Sequence, residues 1–154
     1  MEIERKFLIK KENLPKNLEE YPCQKIEQGY LCTEPVVRIR RSNESYYLTY
    51  KSKGLLSREE YNLPLTKEAY EHLRPKADGI VLSKTRYVIP EKNGLSIELD
   101  VFDAPYEGLL LAEVEFSSEE AANAYIPPAW LGEDVTFSAR YHNSTLSKGI
   151  PSDK

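Results

Sequence analysis

Segment after segment of this 154-residue chain places charged side chains at every second position, with apolar or aromatic residues between them. Glu2, Glu4 and Lys6 form one such row, with Ile3, Phe7 and Ile9 among the residues of the opposite set. Arg38 and Arg40 alternate with Val37 and Ile39, and Lys51 and Lys53 follow Thr49 in a row opposite Leu48 and Tyr50. Arg58, Glu60 and Asn62 make a further row, as do Lys84 and Arg86. Glu98 and Asp100 stand against Ile97, Leu99 and Val101, and Glu113 and Glu115 against Ala112, Val114 and Phe116. Side-chain direction in an extended strand has a period of two, so each row occupies one face of a strand.

Short segments rich in Tyr, Val, Ile, Leu and Thr, separated by Gly, Pro and Asn, predict strands at Glu2 to Ile9, Cys23 to Leu31, Val36 to Ser42 and Ser45 to Lys53. Further strands are predicted at Ser57 to Leu65, Ile80 to Pro90, Leu95 to Phe102 and Leu109 to Phe116. About eight strands is a common number for a closed barrel. Asn43 and the pair Asn93-Gly94 tolerate positive φ, which suits hairpin links and makes neighbouring strands antiparallel. Helices are few. Thr66 caps one running to about Lys76, with Ala69, Tyr70 and Leu73 on one face. Ser117 with Glu120 forms a capping box for another, ended by Pro127-Pro128. Tyr141 to Lys148 suits another helical turn or two, and Lys10 to Tyr21 is a connection. No repeat or composition break divides the chain, so residues 1–154 read as one α+β, mainly β domain with short helices packed outside.

A single charged face is ordinary for a strand with one side in water. The set differs because its rows repeat like charges, Arg-x-Arg, Lys-x-Lys, Glu-x-Glu, and such rows repel unless an opposite charge, metal or anion lies between them. Hydrophobic residues are 40% of the chain and charged ones 30%, so the apolar core is thin or charge is buried. Closing the sheet would gather the rows around one lumen and leave the apolar faces to the helices. Carboxylate clusters with oxygen ligands alone suit Mg²⁺ or Mn²⁺, whereas zinc prefers His or Cys. The two histidines, His72 and His142, read as structural or exposed residues. Arg and Lys complement phosphate oxygens. Acids for a metal and bases for phosphate are the apparatus of phosphoryl transfer, here without a Walker A loop, a G-x-S-x-G elbow or an H-E-x-x-H helix.

A net charge of -4 argues against a nucleic-acid surface or an anionic membrane as partner. Cys23 and Cys32 lack zinc-ligand spacing and read as free thiols of a reducing cytoplasm. The N-terminal MEIERKFLIK has no apolar signal region, and no stretch approaches the roughly 18 apolar residues of a membrane span, so an unprocessed, cytoplasmic protein is expected.

Glu2-Ile3-Glu4-Arg5-Lys6 resembles the E-x-E-x-K signature of the CYTH family, the triphosphate tunnel metalloenzymes. Arg38-x-Arg40, Lys51-x-Lys53, Arg58-x-Glu60, Lys84-x-Arg86, Glu98-x-Asp100 and Glu113-x-Glu115 follow in that family's order, and Arg140-Tyr141-x-Asn143 is similar to the tail of its compact bacterial members. The resemblance implies an eight-stranded closed antiparallel tunnel that binds Mg²⁺ or Mn²⁺ through Glu2, Glu4, Glu113 and Glu115. It implies phosphate contacts from Lys6, Arg38, Arg40, Lys51, Lys53, Arg58, Lys84 and Arg86, with Lys6, Glu60 and Asp100 in catalytic roles. Where some relatives continue with an acid, this chain has Asn62, which bears on a second metal or its water. The implied activity is hydrolysis of inorganic triphosphate, a small-molecule substrate, by a monomer or homodimer. A class IV adenylate cyclase, another organic-triphosphate enzyme and a polyphosphate- or nucleotide-binding protein are the alternatives.

Overall fold

Nine antiparallel strands among the described residues form one sheet whose two ends meet in a single extended segment. The computed structural model describes residues 2–54 and 56–149. The strands are β1 (Glu2–Leu8), β2 (Cys23–Thr33), β3 (Val36–Ser42), β4 (Ser45–Lys51), β5 (Ser57–Arg58), β6 (Glu60–Pro64), β7 (Asp78–Pro90), β8 (Ser96–Phe102) and β9 (Leu110–Glu115). Their order is β5-β1-β9-β8-β7-β2-β3-β4-β6. β5 pairs with β1 and β6 with β4, and only Glu59 separates them, so the sheet curls into a nearly closed barrel. The single strand expected at Ser57 to Leu65 is therefore two. At the break, Glu59 accepts from the Ser52 amide at 3.0 Å and donates its own N–H to Ser52 Oγ at 2.8 Å while the chain crosses between its two partners.

β5 reaches only the first residues of β1. Beyond it, residues 132–136 run along β1 instead: Gly132 N–H donates to Leu8 O, Leu8 N–H to Glu133 O and Val135 N–H to Lys6 O, each at 2.8 Å. Gly132 allows this approach, since a Cβ there would lie 2.6 Å from Leu8 O.

The short links behave as their chemistry predicts. Asn43 and Asn93 have φ of 53° and 60° at the tips of the β3–β4 and β7–β8 hairpins. Helix α1 (Lys67–Leu73) is capped by Thr66, whose hydroxyl accepts from Ala69 N–H at 3.0 Å. Helix α2 (Glu119–Ala124) is capped by Ser118, which accepts from Ala121 N–H, one residue later than the expected Ser117. The delay follows from Phe116, whose N–H still bonds to Ile3 O at 2.7 Å and holds the chain to the sheet. A 3₁₀ turn at Ala139–Tyr141 leads into helix α3 (Asn143–Leu146), and two more 3₁₀ turns occupy the connection at Lys11–Asn13 and Leu18–Glu20.

Two apolar clusters divide the protein. The larger lies outside the barrel, where Ile3, Phe7, Ile97, Leu99, Val114 and Phe116 pack against Ala122 of α2 and against Tyr125 and Leu131. The smaller lies inside. Leu82, Phe102 and Leu111 share faces with Lys84, Asp100 and Glu113, two residues away, and pack with Val135 and with Leu146 of α3. The interior is thus filled by apolar side chains at one end and by charge at the other. Among the described residues no helix is long and apolar enough to cross a membrane.

Candidate active site

The charged part of the interior encloses a cavity of about 260 Å³. Its walls carry six carboxylates, Glu2, Glu4, Glu60, Glu98, Glu113 and Glu115, and six cations, Lys6, Arg38, Arg40, Lys51, Arg58 and Arg86. Strand register brings them together. Glu4 lies opposite Glu115 and Lys6 opposite Glu113 across β1 and β9, and Glu98 opposite Glu113 across β8 and β9. Glu2 faces Arg58 across β1 and β5, and Lys51 faces Glu60 across β4 and β6. Arg5, next to these residues in sequence, points outward to Asp134 and to the carbonyls of Ala122 and Tyr125.

Two of the predicted residues stand behind the wall. Asp100 Oδ2 is 2.6 Å from Lys84 Nζ, and its carboxylate accepts two hydrogen bonds from Arg86 at 2.7 and 2.9 Å. Burial alone would raise the Asp100 carboxyl, but Arg86 and Lys84 hold it below the usual range. Burial, with Arg86 and Arg40 nearby, pushes Lys84 down to about 7 against the pull of Asp100. Glu113 lies 3.2 Å from both Lys6 Nζ and Arg86 Nη2, and these cations, with Lys84 and Lys51, overcome burial and keep it well below the ordinary carboxylate value. Lys53 is exposed and lies outside this cavity, on a neighbouring one of about 440 Å³, because the strand ends at Lys51.

Arg38 and Arg40 have no ion-pair partner among the described residues. Arg38 is 4% exposed, its Nε is buried without an acceptor, and its Nη2 donates to Thr49 Oγ1 at 3.3 Å. Thr49 in turn donates to Asn62 Oδ1 at 2.5 Å. Among the described residues the Arg40 side chain donates to Gln28 Oε1 alone, at 2.8 Å. Burial, Arg38 and Arg86 push its guanidinium down to about 9. An uncompensated buried cation is costly, and an anion entering the cavity would relieve that cost.

The acids have the complementary problem. Burial and the charges of Glu113 and Glu2 raise the Glu4 carboxyl to about 8, and Glu2 Oε1, with Arg58 Nη2 at 3.4 Å, is buried without a hydrogen-bond donor among the described residues. These are hard oxygen donors crowded by like charge, which a divalent cation would relieve. No three carboxylates among the described residues are gathered into a complete cage, however. Glu2 pairs instead with Lys51 at 2.8 Å and Arg58 at 3.4 Å. That arrangement fits an ion such as Mg²⁺, which takes one or two carboxylates and completes its shell with water and substrate phosphate.

Tyr30, His142, Asn143 and Ser144 also line the cavity, although no charge alternation marked them. The last three come from the C-terminal turn, which Lys6 holds by donating from Nζ to Tyr141 O at 3.2 Å. His142, expected to be structural or exposed, is a half-buried wall residue, whereas His72 is exposed on α1.

Residues 1–148 match the CYTH domain, and this chain belongs to the CYTH family, whose triphosphate tunnel metalloenzymes require a divalent metal. It is 42% identical to the inorganic triphosphatase of Nitrosomonas europaea, over 97% of this chain and 99% of that protein. It is 36% identical to the inorganic triphosphatase of Acetivibrio thermocellus, over 96% and 93% of the two chains. The crystal structure of the inorganic triphosphatase NE1496 superposes with a TM-score of 0.72 at 39% identity, covering 99% of this chain and 97% of that one.

Proposed function

We infer that this chain is a metal-dependent triphosphatase that hydrolyses inorganic triphosphate to pyrophosphate and phosphate within the barrel. The observation that carries the reading is the pair Arg38 and Arg40, guanidiniums without carboxylate partners in the same chamber as a crowded set of acids. Guanidiniums without a carboxylate partner among the described residues, beside carboxylates crowded by like charge, describe a site for a metal-bound polyanion. In this reading the substrate is inorganic triphosphate and not ATP. The sequence relationship to two inorganic triphosphatases supports the same choice.

In this reading Lys6, Arg38, Arg40, Lys51, Arg58 and Arg86 hold the phosphoryl oxygens. Lys84 and Asp100 act from behind them, Asp100 by orienting Arg86. Glu2, Glu4, Glu113 and Glu115 are the candidates to hold Mg²⁺ or Mn²⁺, of which one or two carboxylates would bind an ion whose remaining positions water and phosphate oxygens would fill. When bound, the ion neutralises phosphoryl charge and polarises the bond to be broken. Glu60, 3.9 Å from Lys51 Nζ, orients the attacking water and takes its proton. The whole chain, 1–154, acts as one unit on a free small anion in the cytoplasm, as a monomer or homodimer, without a nucleic-acid or membrane partner.

The test is to measure phosphate and pyrophosphate released from triphosphate, and cyclic AMP and phosphate formed from ATP, with Mg²⁺, Mn²⁺ or chelator. The expected result is metal-dependent cleavage of triphosphate well ahead of ATP. Cyclic AMP as the main product, or tight triphosphate binding with no turnover, would overturn the assignment.

A further inference from the structure

We propose that His142 is a further phosphate-contacting residue of the chamber, which takes up a proton as the triphosphate enters and donates it in a hydrogen bond to a phosphoryl oxygen. The proposal rests on the triphosphatase reading and adds a contact to it.

His142 sits in the turn between the 3₁₀ segment and α3, and that turn is anchored inside the barrel from both sides. Leu146 belongs to the inner apolar cluster, and Tyr141 O accepts from Lys6 Nζ. The imidazole forms part of the chamber wall, with Nε2 3.0 Å from Thr136 O. A carbonyl only accepts, so Nε2 carries a proton in either charge state, and in the neutral ring the lone pair is on Nδ1. Nδ1 has no partner among the described residues. The adjacent Asn143 also lines the chamber, and its buried Oδ1 has no hydrogen-bond donor among the described residues.

The charges around the ring determine its state. Lys6 on β1 and Arg58 on β5 repel a proton, Glu113 on β9 attracts one, and Lys53 and Lys148 line the neighbouring cavity whose wall His142 shares. Burial first, then Lys6 and Arg58, hold the ring below its ordinary value despite Thr136 O and Glu113, which favours the neutral form in the free protein. A bound triphosphate brings several negative charges among the same cations and reverses the local field. The protonated ring then offers Nδ1–H as a charge-assisted donor.

The chain has two histidines, so the test needs no difficult assignment. Ring nitrogen resonances of ¹⁵N-histidine protein would be recorded at pH 7 with excess triphosphate, first under chelation and then with Mg²⁺ while substrate remains in excess. His142 is expected to change from the neutral Nε2–H form to imidazolium, while His72, exposed on α1, serves as the unmoved control. In parallel, His142→Gln should raise KM at pH 7 by about tenfold to a hundredfold, as expected for loss of a charge-assisted hydrogen bond. Its kcat should stay within about threefold, and the KM difference should shrink by pH 9, where wild type too would bind with a neutral ring. Triphosphate binding that leaves His142 neutral, or an unchanged KM in a folded His142→Gln protein, overturns the proposal and leaves the triphosphatase reading standing. Absence of triphosphate binding to wild type under both conditions overturns both.

Discussion

Lys84 Nζ and Asp100 Oδ2 lie 2.6 Å apart in the wall of the barrel, and the two side chains are 0% and 2% exposed. Arg86 shares the same carboxylate, and although Arg86 also meets Glu113 and Glu98 at 3.2 and 3.3 Å, Lys84 has Asp100 as its one ion-pair partner among the described residues. Replacing Asp100 by Asn should therefore destabilise the protein by about 3 to 5 kcal/mol, the usual cost of breaking a buried pair. The Asp100 carboxyl is held below its ordinary value, so the stability it contributes is present above the unfolded carboxylate range near pH 4 and is lost as pH falls through the lower, folded value. Urea titrations from pH 7 to pH 2 should show a large gap between wild type and Asp100→Asn at neutral pH and a smaller one in acid. A gap that does not change with pH would mean that the cations do not depend on this carboxylate's charge.

Glu4 should show the opposite sign. Its carboxyl is raised to about 8 by burial and by the charges of Glu113 and Glu2, so ionisation in the unfolded chain above about pH 4.5 favours unfolding, and the penalty grows until the folded group also ionises near pH 8. Glu4→Gln removes the penalty. Without metal it should melt several degrees above wild type at pH 8 and lose that advantage at pH 4. The same variant should lose most metal-dependent turnover, and wild-type activity at ordinary metal concentrations would remove Glu4 from the metal site.

Arg40 and Arg5 separate binding from stability. Arg40 has no carboxylate partner in the chamber, so Arg40→Ala should raise KM for triphosphate at least tenfold with little loss of thermal stability. Arg5 lies outside the barrel, bonds to Asp134 at 2.9 Å and to two carbonyls, and sits over the Phe7 and Tyr125 rings. Arg5→Ala should lower Tm by several degrees and leave KM nearly unchanged. Equal effects on triphosphate affinity would show that Arg40 does not meet the substrate.

Ligand should stabilise a chamber crowded by like charges. At about 100 times Kd, triphosphate binding to the folded chain alone contributes roughly 2.7 kcal/mol, which corresponds to a rise in Tm of very roughly 5 to 10 °C for a domain of this size. Thermal melts under chelation, with triphosphate and with orthophosphate at equal concentration, make the comparison while hydrolysis is held off. Orthophosphate reaches only part of the basic lining and should shift Tm much less. Equal shifts would mean that the arginines and lysines do not act on one extended anion.

What the sequence by itself determined here is local. Alternation at a period of two decides strand faces, so the turning of Glu2, Glu4, Lys6, Arg38, Arg40, Lys51, Arg86 and Glu113 toward one interior is legible before any fold is known. Asn43, Asn93 and Thr66 likewise act through their own backbone, and their turns and cap are where their chemistry places them. Tertiary structure decided whatever depends on how far each row extends and what returns to meet it. Lys53 continues the Lys51 row in sequence but not in space, because β4 ends before it, and the alternation carries no information about a strand's last residue. Leu82, Phe102 and Leu111 share the inward faces of charged rows and still form an apolar plug, because Val135 and Leu146 come back from the far end of the chain to cover them. His142 owes its place in the chamber wall to the same return, so its role rests on contacts between residues more than 130 positions apart, such as Lys6 with Tyr141, which no local pattern encodes.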